Sequence, residues 1–430
     1  MTSAGVTGAG VTGADVTTAV ATAGVDEAVP ALDLLLDVDR LRAWLAQYDE
    51  VLVRRPYLRH KPGTSCVAAL ELVSGRAFVY GVSETARPKL DKLRAQAPPG
   101  SVRALDQDVR MVLATVAADR DLPAARDVSA AVAALQLGDL SADDHGRWHH
   151  PSEGDVRVLV HKPQRRLVGL LGGDPGGVSQ PVVLRAYRRA RLAGAVQRHR
   201  AASRVPGIRT ADVVATSGRH GLLALTHLPG QSLDVLLAQG GSLRTVLWET
   251  GRALARLHNG RPGRAEEDLE RARMDSGRAA VSRAAAETAA QLSGLCPDLA
   301  PRVRQVLDEL AAGAPVAGEP VFCHGDFSTD QVVVDGEGRP ALIDWDHAGW
   351  GDPASDLASA EVAGLAGAPL EDFLEGYGEL RRLPAQSRWH LAHARLMRAL
   401  DPFRSGQPGW RTEVAANVAS VERTLGGVLR

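Results

Sequence analysis

Apolar positions along the chain fall into distinct regimes. From residue 32 to 48, leucine and valine recur at helical spacing. Between about 50 and 235 they come in short runs, at 66–72, 77–82, 111–114, 167–171, 181–187 and 222–225. Gly-, Ser- and Pro-rich turns separate these runs, which predicts strands and hairpins. After 235 the helical period returns. Leu247, Leu254 and Leu257 share a face, and residues 265–290, 301–312, 371–382, 386–400 and 411–425 read as further helices. One β-rich island, at 321–345, interrupts them. Residues 1–29 have neither period and are low in complexity, so a disordered tail is expected there.

The strand-rich part reads twice. Arg59-His60-Lys61-Pro62-Gly63 precedes one pair of apolar runs, and Val160-His161-Lys162-Pro163 precedes another. A basic helical stretch follows each pair, at 89–96 and 188–202, and then a further strand pair. Residues 50–130 and 155–235 are therefore expected to be two related α+β units, an internal duplication. Chance similarity of short apolar runs is the alternative.

Composition narrows the function classes. Fifty basic residues face 51 acidic ones for a net charge of −1, so no basic surplus points to nucleic acid. Cys66, Cys296 and Cys323 are far apart, which excludes a disulfide scaffold and a cysteine-rich zinc site. No apolar stretch reaches the ~18 residues of a membrane span. The N-terminus has no Lys or Arg before Arg40 and makes a poor signal peptide. A cytoplasmic protein without nucleic-acid or membrane partners is expected; the oligomeric state stays open.

The island carries the candidate chemistry. It reads Val321-Phe322-Cys323-His324-Gly325-Asp326-Phe327-Ser328-Thr329-Asp330-Gln331, then three valines, an Asp335-Gly336-Glu337-Gly338 turn, and a second run ending Ile343-Asp344-Trp345-Asp346. Two apolar runs around such a turn make a hairpin, whose ends are neighbours in space. Asp326, Gln331 and Asp344 should converge. Carboxylates plus a side-chain amide suit magnesium, and phosphoryl transfer needs little beyond such ligands and a carboxylate that positions the attacking hydroxyl. The pattern H-G-D-x-x-x-x-Q followed by a strand-end Asp parallels the H-R-D-x-x-x-x-N and metal-binding Asp of kinases.

With these pieces in order, the chain resembles the aminoglycoside phosphotransferase and choline kinase superfamily. Leu225-Thr226-His227-Leu228-Pro229-Gly230, Gly251 to His258, His324-Gly325-Asp326, Leu342 to Asp346, and Gly351-Asp352-Pro353 with Asp356 carry the resemblance over roughly 155–400. It implies a two-lobed α+β protein-kinase-like fold, with an N-lobe at 151–235 and a helical C-lobe at 236–430 holding the hairpin 321–346. Residues 30–150 would be an N-terminal α+β cap resembling a duplicated small lobe. It also implies ATP and Mg²⁺ as cofactors and a small-molecule hydroxyl acceptor. Asp326 would be the catalytic carboxylate and His324 would orient its loop. Asp344 and Gln331 would hold magnesium, and Asp356 would brace the loop. Asp346 could be a further ligand or only a backbone-bonding carboxylate. The backbone near Leu225 and Leu228 would meet the adenine.

The sequence departs from that pattern twice. Gln331 stands where the family usually has Asn, as in some sugar-acting branches, the maltokinases among them. Arg185 stands where kinases place a lysine on the third small-lobe strand, and the next helix, from Ala190 to Arg200, offers no glutamate partner. Lys162, Arg165 and Arg166 are alternative phosphate contacts. From Glu361 onward eight acidic residues meet nine basic ones, so no anionic pocket for a polycation is evident. Arg388, Arg395 and Arg398 share a helical face, which could contact a neutral or anionic acceptor but is read as solvated. The expected activity is phosphorylation of a sugar, amino sugar, aminoglycoside-like or related metabolite; the alternative is a kinase-like binding or regulatory protein without turnover.

Overall fold

The computed structural model describes residues 25–137, 156–172, 181–261, 283–315, 319–384 and 388–426. Residues 1–24 of the expected tail, and Gly173 to Gly177 of the glycine-rich turn, lie outside the described residues. Residues 25–29, assigned to the tail on composition, instead form a turn that buries Val29 completely. Asp26 holds this turn, its carboxylate 2.7 Å from His60 Nε2.

Helices α1 (Ala31–Leu36) and α2 (Val38–Ala46) come first. The Asp37 carboxylate caps α2 by accepting from the backbone N–H groups of Asp39 and Arg40. Strands β1 (Leu52–Lys61), β2 (Ser65–Leu72) and β3 (Gly75–Val82) lead to α3 (Pro88–Gln96), then β4 (Val102–Asp106) and β5 (Met111–Thr115). All neighbours pair antiparallel in the order β1-β2-β3-β5-β4. Short helices α4 (Pro123–Arg126) and α5 (Val128–Ala133) follow. Next come β6 (Val156–Lys162), β7 (Arg166–Leu171), β8 (Val182–Tyr187), α6 (Arg189–Ser203), β9 (Val213–Ser217) and β10 (Leu222–Thr226). Their sheet has the order β6-β7-β8-β10-β9. The two sheets thus share strand order and the placement of a helix between the third and fourth strands.

Both sheets are covered on two faces, which explains why their strands read as near-continuous apolar runs. In the second sheet, Leu167, Leu184 and Ala224 pack on Leu122, Ala125 and Ala131 from the α4–α5 region. Leu223 and Leu225 pack on Leu192 and Ala195 of α6. In the first sheet, Phe78 and Val112 pack on Leu90 and Leu93 of α3, while Leu58, Ala68 and Leu70 pack on α1 and α2. That last cluster runs on into helices of the C-terminal half.

The C-terminal half opens with β11 (Gln231–Ser232), α7 (Leu233–Gln239) and α8 (Arg244–Asn259). Helical residues 283–295 (α9) and α10 (Ala300–Ala312) precede the island. The island supplies β12 (Val321–Cys323), β13 (Val332–Val334), β14 (Pro340–Leu342) and β15 (Gly349–Gly351). Strands β13 and β14 form the expected hairpin, with Val332 opposite Leu342 and Val334 opposite Pro340. Helices α11 (Pro353–Val362), α12 (Ala368–Leu380), α13 (Arg388–Arg398), α14 (Asp401–Ser405) and α15 (Trp410–Gly426) complete the chain. Leu292, Val303, Leu396, Phe403 and Val418 of this half share one core with the first sheet and α1–α2. The architecture is the two-lobed kinase-like fold, α+β, with a third unit ahead of the small lobe. Among the described residues no helix is long and apolar enough to cross a membrane.

Candidate active site

The loop that carries Asp326 leaves β12 at His324. Its side chain is fully buried, and its Nε2 donates to the Ile343 carbonyl across the island (2.8 Å). The backbone N–H groups of His324 and Gly325 donate to the two oxygens of Asp356 at 2.7 and 2.8 Å. His258 Nε2 lies 3.0 Å from the same carboxylate, and its Nδ1 is 2.9 Å from the Tyr377 hydroxyl. Burial alone would raise the Asp356 pKa, but His258 and the backbone donors keep it below the usual carboxylate value. His258, Cys323 and Asp356 could together hold a metal ion by proximity. Asp356 is instead consumed by three donors, His258 and the two backbone N–H groups, and acts as a hydrogen-bonded brace. Gly325 has φ 81°, and a Cβ there would stand 2.1 Å from the His347 carbonyl oxygen. Glycine is required for the turn that presents Asp326.

Asp326 is half-exposed, with one oxygen 3.9 Å from Arg398 Nη2. Partial desolvation raises its pKa, and the Asp344 carboxylate adds to this, against the opposing pull of His347, Arg398 and His324. Asp344, two residues past β14 and just ahead of the turn Trp345–His347, lies in the left-handed region, φ 68° and ψ 63°. Arg166 Nη1 reaches both its oxygens, at 2.9 and 2.8 Å, and Asp346 at 2.8 Å. Arg185 Nη2 bonds Asp344 at 2.6 Å and Asp346 at 3.0 Å. The Tyr187 hydroxyl donates to the other Asp346 oxygen (2.8 Å). Burial works to raise the Asp344 pKa, yet the two guanidiniums push it well below the carboxylate range, and Asp346 is lowered the same way.

The sequence reading placed Arg185 correctly on the third strand of the small lobe, but its partner was not legible. In place of a helix glutamate, Arg185 pairs with the strand-end aspartates. The buried His199 of α6 lies within its field; burial, then the charge of Arg185, depress the His199 pKa to about 4. Arg166, named only as an alternative contact, sits on Asp344 itself. The strand register carries it there: Arg166 pairs with Tyr187 across β7–β8. Lys162 is half-buried beside Arg166, and desolvation, followed by that like charge, lowers its pKa. Arg165 is exposed and bonds none of these carboxylates. The Leu225 side chain is buried in the small-lobe core under α6, with Leu228 partly buried beside it. Gln331 donates through Nε2 to Asp330 (3.3 Å), a bond that does not use its amide oxygen.

Two further observations bear on ligands. The Nε atoms of Arg166 and Arg185 are buried beside Asp344 without a hydrogen-bond partner. Unpaired buried guanidinium donors are costly, and phosphate oxygens are their natural acceptors. Asp344, Asp346 and Gln331 offer hard oxygen donors, the set magnesium takes. Next to Asp326, a cavity of about 500 Å³ is lined by Arg395, Arg398, Asp401, Gln407, Glu413 and Asn417, among others. Arg395 and Arg398 therefore face a cavity, and the expectation of a solvated face is corrected. Helix periodicity gave the shared face; only the packing of α11, α14 and α15 around it makes a pocket.

The model of the phosphotransferase enzyme family matches residues 170–390. The chain belongs to this family. The matched span starts within β7 and ends in α13, so it takes in Arg185, Asp326, Asp344, Asp346 and Asp356 and leaves out Lys162, Arg166 and the first unit. No curated protein matches the chain. Among solved structures, similarity is found to an apo thermostable mutant of aminoglycoside phosphotransferase APH(4)-Ia, at 18% identity and TM-score 0.47, over 64% of this chain and 96% of that one. The macrolide 2'-phosphotransferase MphH from Brachybacterium faecium gives 23% and 0.39, over 65% and 94%. A choline/ethanolamine kinase family protein from Mesorhizobium loti gives 19% and 0.42, over 64% and 88%.

Proposed function

We propose that this phosphotransferase-family protein transfers the γ-phosphate of ATP to a hydroxyl of a small polar metabolite, a sugar or amino sugar. The observation that carries the reading is the pair of buried, unpartnered Nε donors of Arg166 and Arg185, two residues whose Nη atoms seat on Asp344. Asp344 and Gln331, with Asp346 beside them, would hold magnesium, which when bound neutralises the nucleotide's phosphate charge. Arg166, Arg185 and Lys162 bind phosphate oxygens, and the segment after Leu225 meets the base. Asp326 aligns the acceptor hydroxyl and takes up its proton; its raised pKa favours that second role. Asp356 and His324 keep the loop rigid so that this alignment survives binding.

The pocket favours the acceptor class. Two arginines, Arg395 and Arg398, and two carboxylates, Asp401 and Glu413, line it, a balance that suits a neutral or singly charged polyol more than a polycation. The domain organisation is proposed on the same footing. Equal strand order and matched His-Lys-Pro turns support a cap derived from a second small lobe, and the packing of residues 122–137 on the second sheet moves its expected boundary from 150 to near residue 119.

The test is ADP release from Mg·ATP with hexoses, disaccharides, amino sugars, aminoglycosides, choline and homoserine as acceptors. Acceptor-dependent release that disappears in Asp326→Asn is expected. The occupation of Asp344 and Asp346 by arginines favours a second reading, a nucleotide-binding protein without turnover. Nucleotide binding with no release for any acceptor would select it.

A further inference from the structure

Residues 162–166, the turn between the first two strands of the small lobe, bring Lys162 and Arg166 to the cleft. At its centre Gln164 has φ 62°, a left-handed conformation that favours glycine. The matching turn of the first unit has glycine there, Gly63, also at φ 62°. The two turns are otherwise built alike. Thr64 N–H donates to the Lys61 carbonyl, and Arg165 N–H to the Lys162 carbonyl, each at 3.0 Å. Asp26 accepts from Gly63 N–H (2.8 Å) and meets His60 Nε2; Asp119 accepts from Gln164 N–H (2.7 Å) and meets His161 Nε2 at 3.1 Å.

What differs is the side chain. Gln164 Oε1 accepts from Arg59 Nη2 of the first unit at 2.6 Å, and Tyr80 of the same unit hydrogen-bonds the Gln164 side chain. Arg188 Nε donates to the Gln164 carbonyl (2.9 Å) and its Nη2 to Asp121 (2.7 Å). A residue in a conformation that favours glycine thus stands where its side chain reaches the neighbouring unit.

We propose that Gln164 is a positioning residue that bolts the phosphate-facing turn to the N-terminal unit through Arg59, and so sets nucleotide affinity. The proposal rests on the nucleotide reading above. Held at both ends, the turn presents Lys162 and Arg166 with little freedom left to lose on binding. Released, it keeps its fold but not its aim.

Gln164→Gly restores the residue that the first turn tolerates and removes only the bolt. Binding of Mg·AMP-PNP is measured by calorimetry for the wild type, Gln164→Gly, Arg59→Ala and the double variant, with melting midpoints alongside. The expected result is a loss of about fivefold or more in affinity for each single variant, no further loss in the double, and a midpoint for Gln164→Gly no lower than wild type. Wild-type affinity in Gln164→Gly, or losses that multiply in the double variant, would overturn the bolt while leaving the nucleotide reading intact. A wild type that binds no nucleotide would bring down both.

Discussion

At the scale of single residues, the site sets charges against burial. Asp326 is the one carboxylate of the group held above its ordinary pKa, so it is the one ready to accept a proton. Asp326→Asn is expected to lower turnover by about 10²–10⁴-fold while Mg·ATP affinity holds, since proton acceptance is lost and phosphate binding is not. Steady-state rates and a binding titration check this together. His199 gives a pH signature. Its folded pKa of about 4 lies below the unfolded value near 6.5, so the unfolded chain takes the proton first. Stability should therefore fall as pH drops from about 6.5 toward 4, by up to ~1.4 kcal/mol per unit from this group. Urea unfolding at pH 7 and pH 5 should show a smaller difference in His199→Gln than in wild type; equal differences would assign the slope elsewhere.

At the scale of elements, the catalytic loop depends on α11. Asp356 satisfies two backbone N–H groups and His258 in a buried setting. Asp356→Ala would orphan them, at an expected loss of about 3–5 kcal/mol in denaturant unfolding and with turnover falling alongside. Gly325→Ala tests the same loop from the backbone side. The left-handed φ alone costs about 1–2 kcal/mol, and the contact with the His347 carbonyl adds to it. The variant should melt lower and lose activity, whereas substitution at Gly336, with open space around its Cβ position, should do neither.

At the scale of the whole molecule, the first unit is not an appendage. Leu58, Ala68 and Leu70 share a core with Leu292, Leu396 and Val418, far along the chain. A chain beginning at residue 119 would expose that face of the C-terminal helices and is expected to aggregate; a soluble, cooperatively melting fragment would contradict this. Such long-range sharing was not legible beforehand, because a helix's apolar stripe announces that it will be buried and not against what. The sequence by itself determined the local matters. Apolar runs and turn chemistry placed β2, β3, β5, β7, β8 and β10, the hairpin at 332–342 and the arginine on the third small-lobe strand, since these depend on neighbours a few residues apart; the more polar β1, β4, β6 and β9 carry no such run. Motif order determined the family, and the hairpin brings Asp344 within the electrostatic reach of Asp326. Only the tertiary structure decided that Arg166 and Arg185 both seat on Asp344, that Arg398 faces a pocket, and that Gln164 reaches the first unit. Those contacts join residues 105 to 178 positions apart, and their geometry follows from how sheets and helices stack, a property of the packed whole that no local pattern encodes.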